Sequence, residues 1–246
     1  KVHEIPAGTR VSKGKIIQNF LDIPADEKVS AIVAYSAKQK SHTQSFLVMV
    51  TKDGLIKKTS IGDFANVRRS GIVAIKLQKS DQLKWVKISK GNDQIILSSA
   101  RGQAIRFKER DLRPLGRAAS GVRAMRLKKD DFIAGLDIIN EDAETKKRNV
   151  LIVTENGFSK QTPLKEYKVQ KRGGSGIKTA NINAKTGIVV GAKILTEEEE
   201  ELLALSSKGQ MIRTKIESIR VAGRATSGVR IMKLNSGDKV VGVVCL

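Results

Sequence analysis

Short apolar bursts punctuated by glycine set the pattern of this chain. Residues 46–50, 95–97, 150–153 and 202–205 are apolar runs, and each leads to a polar residue followed by glycine: Asp53-Gly54, Arg101-Gly102, Asn156-Gly157 and Lys208-Gly209. Such a pair between two extended segments marks a tight β-hairpin, because the turn needs positive φ. A basic strand follows each turn. A second glycine series comes next: Gly14, Gly71, Gly121, Gly176 and Gly228. Arg10, Arg117, Arg172 and Arg224 each stand four residues before their glycine, and Arg68 stands three before Gly71. After these glycines the first, fourth and sixth positions are mostly apolar, as in Val122, Met125 and Leu127 or Val229, Met232 and Leu234. The second and fifth are often basic, as in Arg123 and Arg126 or Arg230 and Lys233. A further strand is expected over 131–138 and over 238–244.

The whole pattern recurs about every fifty residues. It places repeats near 45–93, 94–147, 148–199 and 200–246, with residues 1–44 as the back half of an earlier unit. Polar connectors fall at 36–44 and 140–148. Helix is confined to single turns near 61–64 or 164–167. Repeated units of about four short strands predict an all-β, propeller-like pinwheel of four-stranded blades, with one domain spanning 1–246. Recurrent Trp-Asp pairs would mark an ordinary WD40 propeller, and this chain has one tryptophan, Trp85.

Charge changes the picture most. The formal net charge is +21, and self-repulsion of that size is kept when the partner is a polyanion, with nucleic acid the leading candidate. Aromatic residues make up 4% of the chain, so unstacked bases would find few platforms and a duplex backbone suits it better. No apolar run has the length of a membrane span and nothing at the N-terminus reads as a signal peptide. The single cysteine, Cys245, forms no internal disulfide and points to a reducing, cytoplasmic compartment. It reads as a strand residue packed as a small hydrophobe. One Cys and two His make no zinc site, and no metal or cofactor motif is found. His3 and His42 lack a nucleophile partner and read as surface residues. Residues 174–179 fail the spacing of a phosphate-binding P-loop. No catalytic set remains.

The basic residues carry the remaining information. Lys58, Arg106 and Arg213 occupy the fourth position after each turn glycine, with Gln161 the exception and Lys160 just before it; Lys57 likewise precedes Lys58. Together with Arg68, Arg69, Arg117, Arg123, Arg224 and Arg230 they are expected to form a belt of cations at equivalent places on successive blades. The plainer alternative is that these side chains only solvate exposed strand edges. One stretch is more elaborate: Gln170, Lys171, Arg172, Gly173, Gly174, Ser175 and Gly176, followed by Lys178. Adjacent cations beside glycines bring charge and exposed N–H groups together, a setting suited to phosphate. Elsewhere the glycines of this series need mean only bulges or tight bends.

These residues resemble the C-terminal domain of the DNA gyrase A protein, a β-pinwheel. The likeness runs through essentially the whole chain and is clearest at Lys1-Val2-His3-Glu4-Ile5-Pro6, Asp53-Gly54-Leu55-Ile56-Lys57-Lys58-Thr59, Gly102-Gln103-Ala104-Ile105-Arg106-Phe107 and Gly121-Val122-Arg123. Residues 170–176 resemble the family's box, Gln-Arg-Arg-Gly-Gly-Lys-Gly. They match at Gln170, Arg172, Gly173, Gly174 and Gly176, with Lys171 conservative and Ser175 in place of a cation. The family's box normally lies in the first blade of six, whereas here the motif lies in the next-to-last repeat. The resemblance implies a non-catalytic module that wraps double-stranded DNA so that an ATP-dependent holoenzyme can introduce negative supercoils. It also implies partners in the rest of the gyrase A protein and in the gyrase B protein, an A2B2 assembly, a monomeric isolated domain, and a bacterial, nucleoid-associated setting. The equivalent domain of topoisomerase IV is a close variant, and a basic protein-interaction propeller is the alternative from another class.

Overall fold

The computed structural model describes residues 5–9, 11–24, 27–35, 45–68, 70–140 and 148–246. Numbered along the chain, the strands are β1 (Phe46–Thr51), β2 (Leu55–Ser60), β3 (Leu83–Ser89), β4 (Gln94–Ser99), β5 (Gln103–Lys108), β6 (Val122–Arg123), β7 (Ile133–Ile139) and β8 (Asn149–Thr154). They continue with β9 (Phe158–Pro163), β10 (Ile177–Lys178), β11 (Val189–Ile194), β12 (Glu201–Ser206), β13 (Met211–Lys215), β14 (Val229–Arg230) and β15 (Val240–Cys245). Among the described residues, helix is limited to 3₁₀ turns, including Ile61–Phe64, Glu109–Asp111, Leu164–Glu166 and Ile216–Ser218. The fold is all-β, and none of the described helices is long and apolar enough to cross a membrane.

Each repeat builds the same antiparallel hairpin around its predicted glycine turn. Val50 pairs with Ile56, Ser98 with Ala104, Val153 with Ser159 and Leu205 with Met211. A longer strand then pairs with the first strand of the hairpin, with a register shift near the turn at Val50/Thr51, Ser98/Ser99, Val189/Gly191 and Leu205/Ser206. Bulges at one repeated place increase the local twist, as blades of a ring require.

The fourth strand of each sheet comes from the following repeat. The sheet orders are β3-β1-β2-β6, β10-β5-β4-β7 and β11-β8-β9-β14, so β6, β10 and β14 each cross back to the preceding hairpin. The fourth sheet has only β13-β12-β15. The sequence pattern counts the strand after the second glycine as part of its own unit; pairing hands it to the blade before. Residues 72–77, the corresponding stretch of the first full repeat, form no strand, and Val73 is 62% exposed. Glycine begins each crossing strand because backbone meets backbone there. A Cβ on Gly176 would lie 2.4 Å from the Ala104 carbonyl oxygen, and one on Gly228 2.4 Å from that of Ser159.

The core lies between neighbouring sheets. Strand alternation sends Ile95 and Leu97 towards Val48, Val50 and Ile56 of the first sheet, while Ile96 packs with Val150 and Ile152 of the third. Leu151 and Val153 then face Leu202 and Ala204 of the fourth. Covering both faces makes the central strands buried almost end to end, and this includes their polar residues. Cys245 ends β15, half-buried against this last cluster.

Candidate nucleic-acid interface

The crossing strands put one row of cations on the rim. Arg123, Lys178 and Arg230 are the second residues of β6, β10 and β14, and all three are exposed. Their register is fixed by pairing: Arg123 opposite Leu55, Lys178 opposite Gln103 and Arg230 opposite Phe158. The Arg230 guanidinium lies 5.2 Å from the centroid of the Phe158 ring, which holds it over that blade.

A second row lies beside the first. Arg117, Arg172 and Arg224 are half-buried. Arg172 donates to the Arg123 carbonyl and Arg224 to the Lys178 carbonyl at 3.0 Å, so each arginine staples its loop to the crossing strand of the preceding repeat. Within the 170–176 loop, the Gln170 N–H donates to the Arg106 carbonyl at 2.7 Å and the Gly173 N–H to the Ala124 carbonyl at 2.8 Å, while the Gly174 carbonyl accepts from the Arg126 N–H at 2.8 Å. The loop is thus pinned at three points to the preceding repeat, with Gly173 at φ +83° and Gly174 in an ordinary backbone region. Lys171 stands exposed on it. The Arg172 Nε–H is buried with no acceptor from the described residues.

Four residues expected in the belt are instead buried: Lys57 at 0%, Lys58 at 4%, Arg106 at 8% and Lys160 at 1% exposure. The fourth position after the turn glycine points into the seam between repeats. Lys58 pairs with the Glu109 carboxylate at 3.1 Å, Arg106 donates to the Leu164 and Tyr167 carbonyls, and Gln161 donates to those of Ile216 and Ile219. In every case the side chain clasps the 3₁₀ turn of the next repeat. Gln161, the exception by charge, does the same job as its basic counterparts. Arg213 clasps no 3₁₀ turn among the described residues; it is exposed and donates to Glu201 on the neighbouring strand.

The third position holds the other two. The Lys57 ammonium donates to the carbonyls of Ala74 (2.7 Å), Gly116 (2.9 Å), Arg117 (2.5 Å) and Ala119 (3.2 Å). Lys160 donates to the Gly223 and Arg224 carbonyls, both at 2.6 Å. Burial lowers the pKa of both, that of Lys160 to about 8; for Lys160 Glu166 opposes the shift and Arg224 adds to it. Asp63 opposes it for Lys57.

Arg68 is exposed in the loop before Gly71. Arg69, together with Arg10, His3 and His42, lies outside the described residues. A further row escaped the sequence reading. Arg113, Lys168 and Arg220 are exposed, each directly after a buried Leu112, Tyr167 or Ile219. Their recurrence at the repeat spacing is the signal the sequence carries for this row, set beside varied apolar residues with no glycine to mark it.

Comparison with known proteins agrees with this architecture. The family profile described as "DNA gyrase C-terminal domain, beta-propeller" matches residues 1–36, 45–90, 93–140, 148–196 and 200–246. The DNA gyrase A protein of Staphylococcus epidermidis is 39% identical over 240 residues, covering 98% of this chain and 26% of that protein. The chain therefore spans about a quarter of that relative's length. A solved DNA gyrase A C-terminal domain superposes with a TM-score of 0.81 at 26% identity, over 95% of this chain and 75% of that one. The C-terminal domain of a DNA topoisomerase IV has the same fold, with a TM-score of 0.87 at 23% identity over 100% of this chain and 74% of the other. With its repeats matched along nearly their whole length, the chain belongs to the DNA gyrase C-terminal domain family.

Proposed function

We propose that this chain is the DNA-wrapping part of a gyrase A protein, bending duplex DNA around its basic rim and performing no chemistry itself. The observation that carries this reading is the row Arg123, Lys178 and Arg230, set at one register on three successive sheets, with Arg117, Arg172 and Arg224 behind it. A duplex following that row would meet cations at regular intervals. Lys171 and the backbone around Gly173, Gly174 and Gly176 supply one further phosphate contact, with Arg172 and Gln170 fixing the loop. Arg68 and Arg213, both exposed, add further cations to the basic surface. In this reading the buried Lys57, Lys58, Arg106 and Lys160 hold the blades together instead of touching DNA.

Charge repetition without base-reading groups predicts binding that tolerates any sequence. Bending a few tens of base pairs costs about 1–6 kcal/mol, which released counterions and phosphate contacts offset. Six neutralised phosphates would give a log–log salt slope of about −5. Wrapping would present a crossing of fixed handedness to a strand-passage core supplied by the rest of the gyrase A protein and by the gyrase B protein, where ATP is consumed. The test is to ligate nicked plasmid with the domain bound and measure the change in linking number. A substantial change, lost in the triple variant R123A/K178A/R230A, is expected. No change at saturating protein overturns the wrapping function.

A further inference from the structure

We infer that Lys57 and Lys160 are positioning residues for phosphate, acting through the loops that contain Arg117 and Arg224. The inference rests on the DNA-binding reading above, and it assigns a role to residues that cannot reach DNA themselves.

The two ammonium groups are buried without an ion-pair partner among the described residues. Their hydrogen bonds all go to peptide carbonyls, with Asp63 and Glu166 acting only at longer range, and the carbonyls of the two loops occupy equivalent places. Gly116 and Arg117 stand five and four residues before Gly121; Gly223 and Arg224 stand five and four before Gly228. A buried cation held by carbonyl dipoles, with no carboxylate in direct contact, is a costly way to fill space. The chain itself shows the cheaper solution, because Ile105 and Ile212 occupy the same position in the second and fourth hairpins. Folding this hairpin does not require a lysine there.

The planar trans peptide explains what the lysine adds. C=O and the following N–H point in opposite directions across one peptide plane. When Lys57 pulls the Gly116 and Arg117 carbonyls inward, the Arg117 and Ala118 N–H groups turn outward. Lys160 does the same for Arg224 and Ala225. Ala118 and Ala225 are exposed, which puts this edge of each loop at the surface. One of these N–H groups already holds an anion: the Arg224 N–H donates to the Glu166 carboxylate at 3.3 Å. Successive outward N–H groups beside a guanidinium form a concavity that fits a phosphate of the duplex backbone. The loop at 170–176 stands over Ile105 instead, and there two glycines and Lys171 replace the device.

The experiment compares wild type, K160I, K160R and the double variant K57I/K160I as the full 246-residue chain, using a linear duplex fragment. Affinity is measured against salt and pH, and stability by urea denaturation. K160I should fold, bind roughly three- to tenfold more weakly, and show a salt slope flatter by about one unit. K160R should recover binding and keep it at high pH. Wild-type binding should weaken as pH rises through about 8, where Lys160, beside Glu166 and Arg224, loses its proton. Fold stability should move the other way across that window, because deprotonation removes the cost of burying charge. Opposite signs for binding and stability separate positioning from simple packing. A folded K160I with unchanged affinity, slope and pH profile overturns the inference. If K160I does not fold, wild-type binding that stays flat from pH 7 to about 9.5 overturns it equally. If R123A/K178A/R230A also binds as wild type, the DNA-binding reading fails instead.

Discussion

Replacing Gly228 by alanine tests the strand exchange directly. Gly228 sits at φ +76°, and a Cβ there would lie 2.4 Å from the Ser159 carbonyl oxygen and 2.8 Å from the Ser159 carbonyl carbon. The positive φ alone costs about 1 kcal/mol for a residue with a Cβ. The obstacle is backbone, so a side-chain rotation gives no relief and β14 must move away from β9. That movement weakens the pairing of Val229 with Ser159 and of Arg230 with Phe158, and strains the Ile231 and Met232 N–H bonds to the Gly157 carbonyl. Losing two net hydrogen bonds adds about 2 kcal/mol, giving about 3 kcal/mol in all. Gly209 is the internal control: its φ is +85°, yet nothing lies within 4 Å of the added Cβ, because among the described residues no strand crosses to the fourth sheet. Gly209→Ala should cost only the conformational term, about 1 kcal/mol. Urea denaturation of the two variants should show midpoints separated by about 2 kcal/mol of stability. Equal destabilisation would refute the claim that close backbone approach, and not turn geometry, places glycine at the start of each crossing strand.

Arg106→Ala should destabilise by about 3 kcal/mol, since it leaves Gln94 and the Leu164 and Tyr167 carbonyls without their shared buried donor; a denaturation midpoint near wild type would show that the seam does not depend on this clasp. Arg213→Ala, exposed and clasping no other repeat, should leave the midpoint almost unchanged in the same assay. Gly174→Ala should fold normally, because its φ is not positive and the new Cβ meets Ile105 at an ordinary 3.7 Å, whereas Arg172→Ala should lower DNA affinity in a salt-dependent way. Asp238 accepts from the Ser206 and Ser207 hydroxyls and from the Lys208 and Lys239 N–H groups, which hold its pKa at about 2 against the desolvation that opposes them. Its contribution is complete above the unfolded carboxylate pKa of about 4 and is lost as pH falls through about 2. Asp238→Asn should therefore flatten the acid limb of a stability–pH curve, and an unchanged limb would remove this residue from the acid response.

Much of the site's outline was legible because it is periodic. The turn glycines, the strand bursts and the row Arg123, Lys178 and Arg230 all repeat at one spacing, and the structure exposes that row on the rim. Lys57, Lys58, Arg106 and Lys160 misled for a definite reason. A cation in a hydrophilic strand reads as solvated unless something is known to cover it, and here the cover is the next repeat, some fifty residues away in sequence.

By itself, then, the sequence determined the period, the hairpins, the all-β class and the charge that makes a polyanion the natural partner. Hydrophobic alternation and turn chemistry are local, so they are written where they act. Only the tertiary structure decided which hairpin each short strand joins and which cations reach solvent. Val122 and Val229 are as fit to pair with their own hairpin as with the one before; shape and backbone contact across the seam settle the matter. The same seam turns one lysine towards a carbonyl cage and leaves another cation, such as Arg123, exposed to solvent.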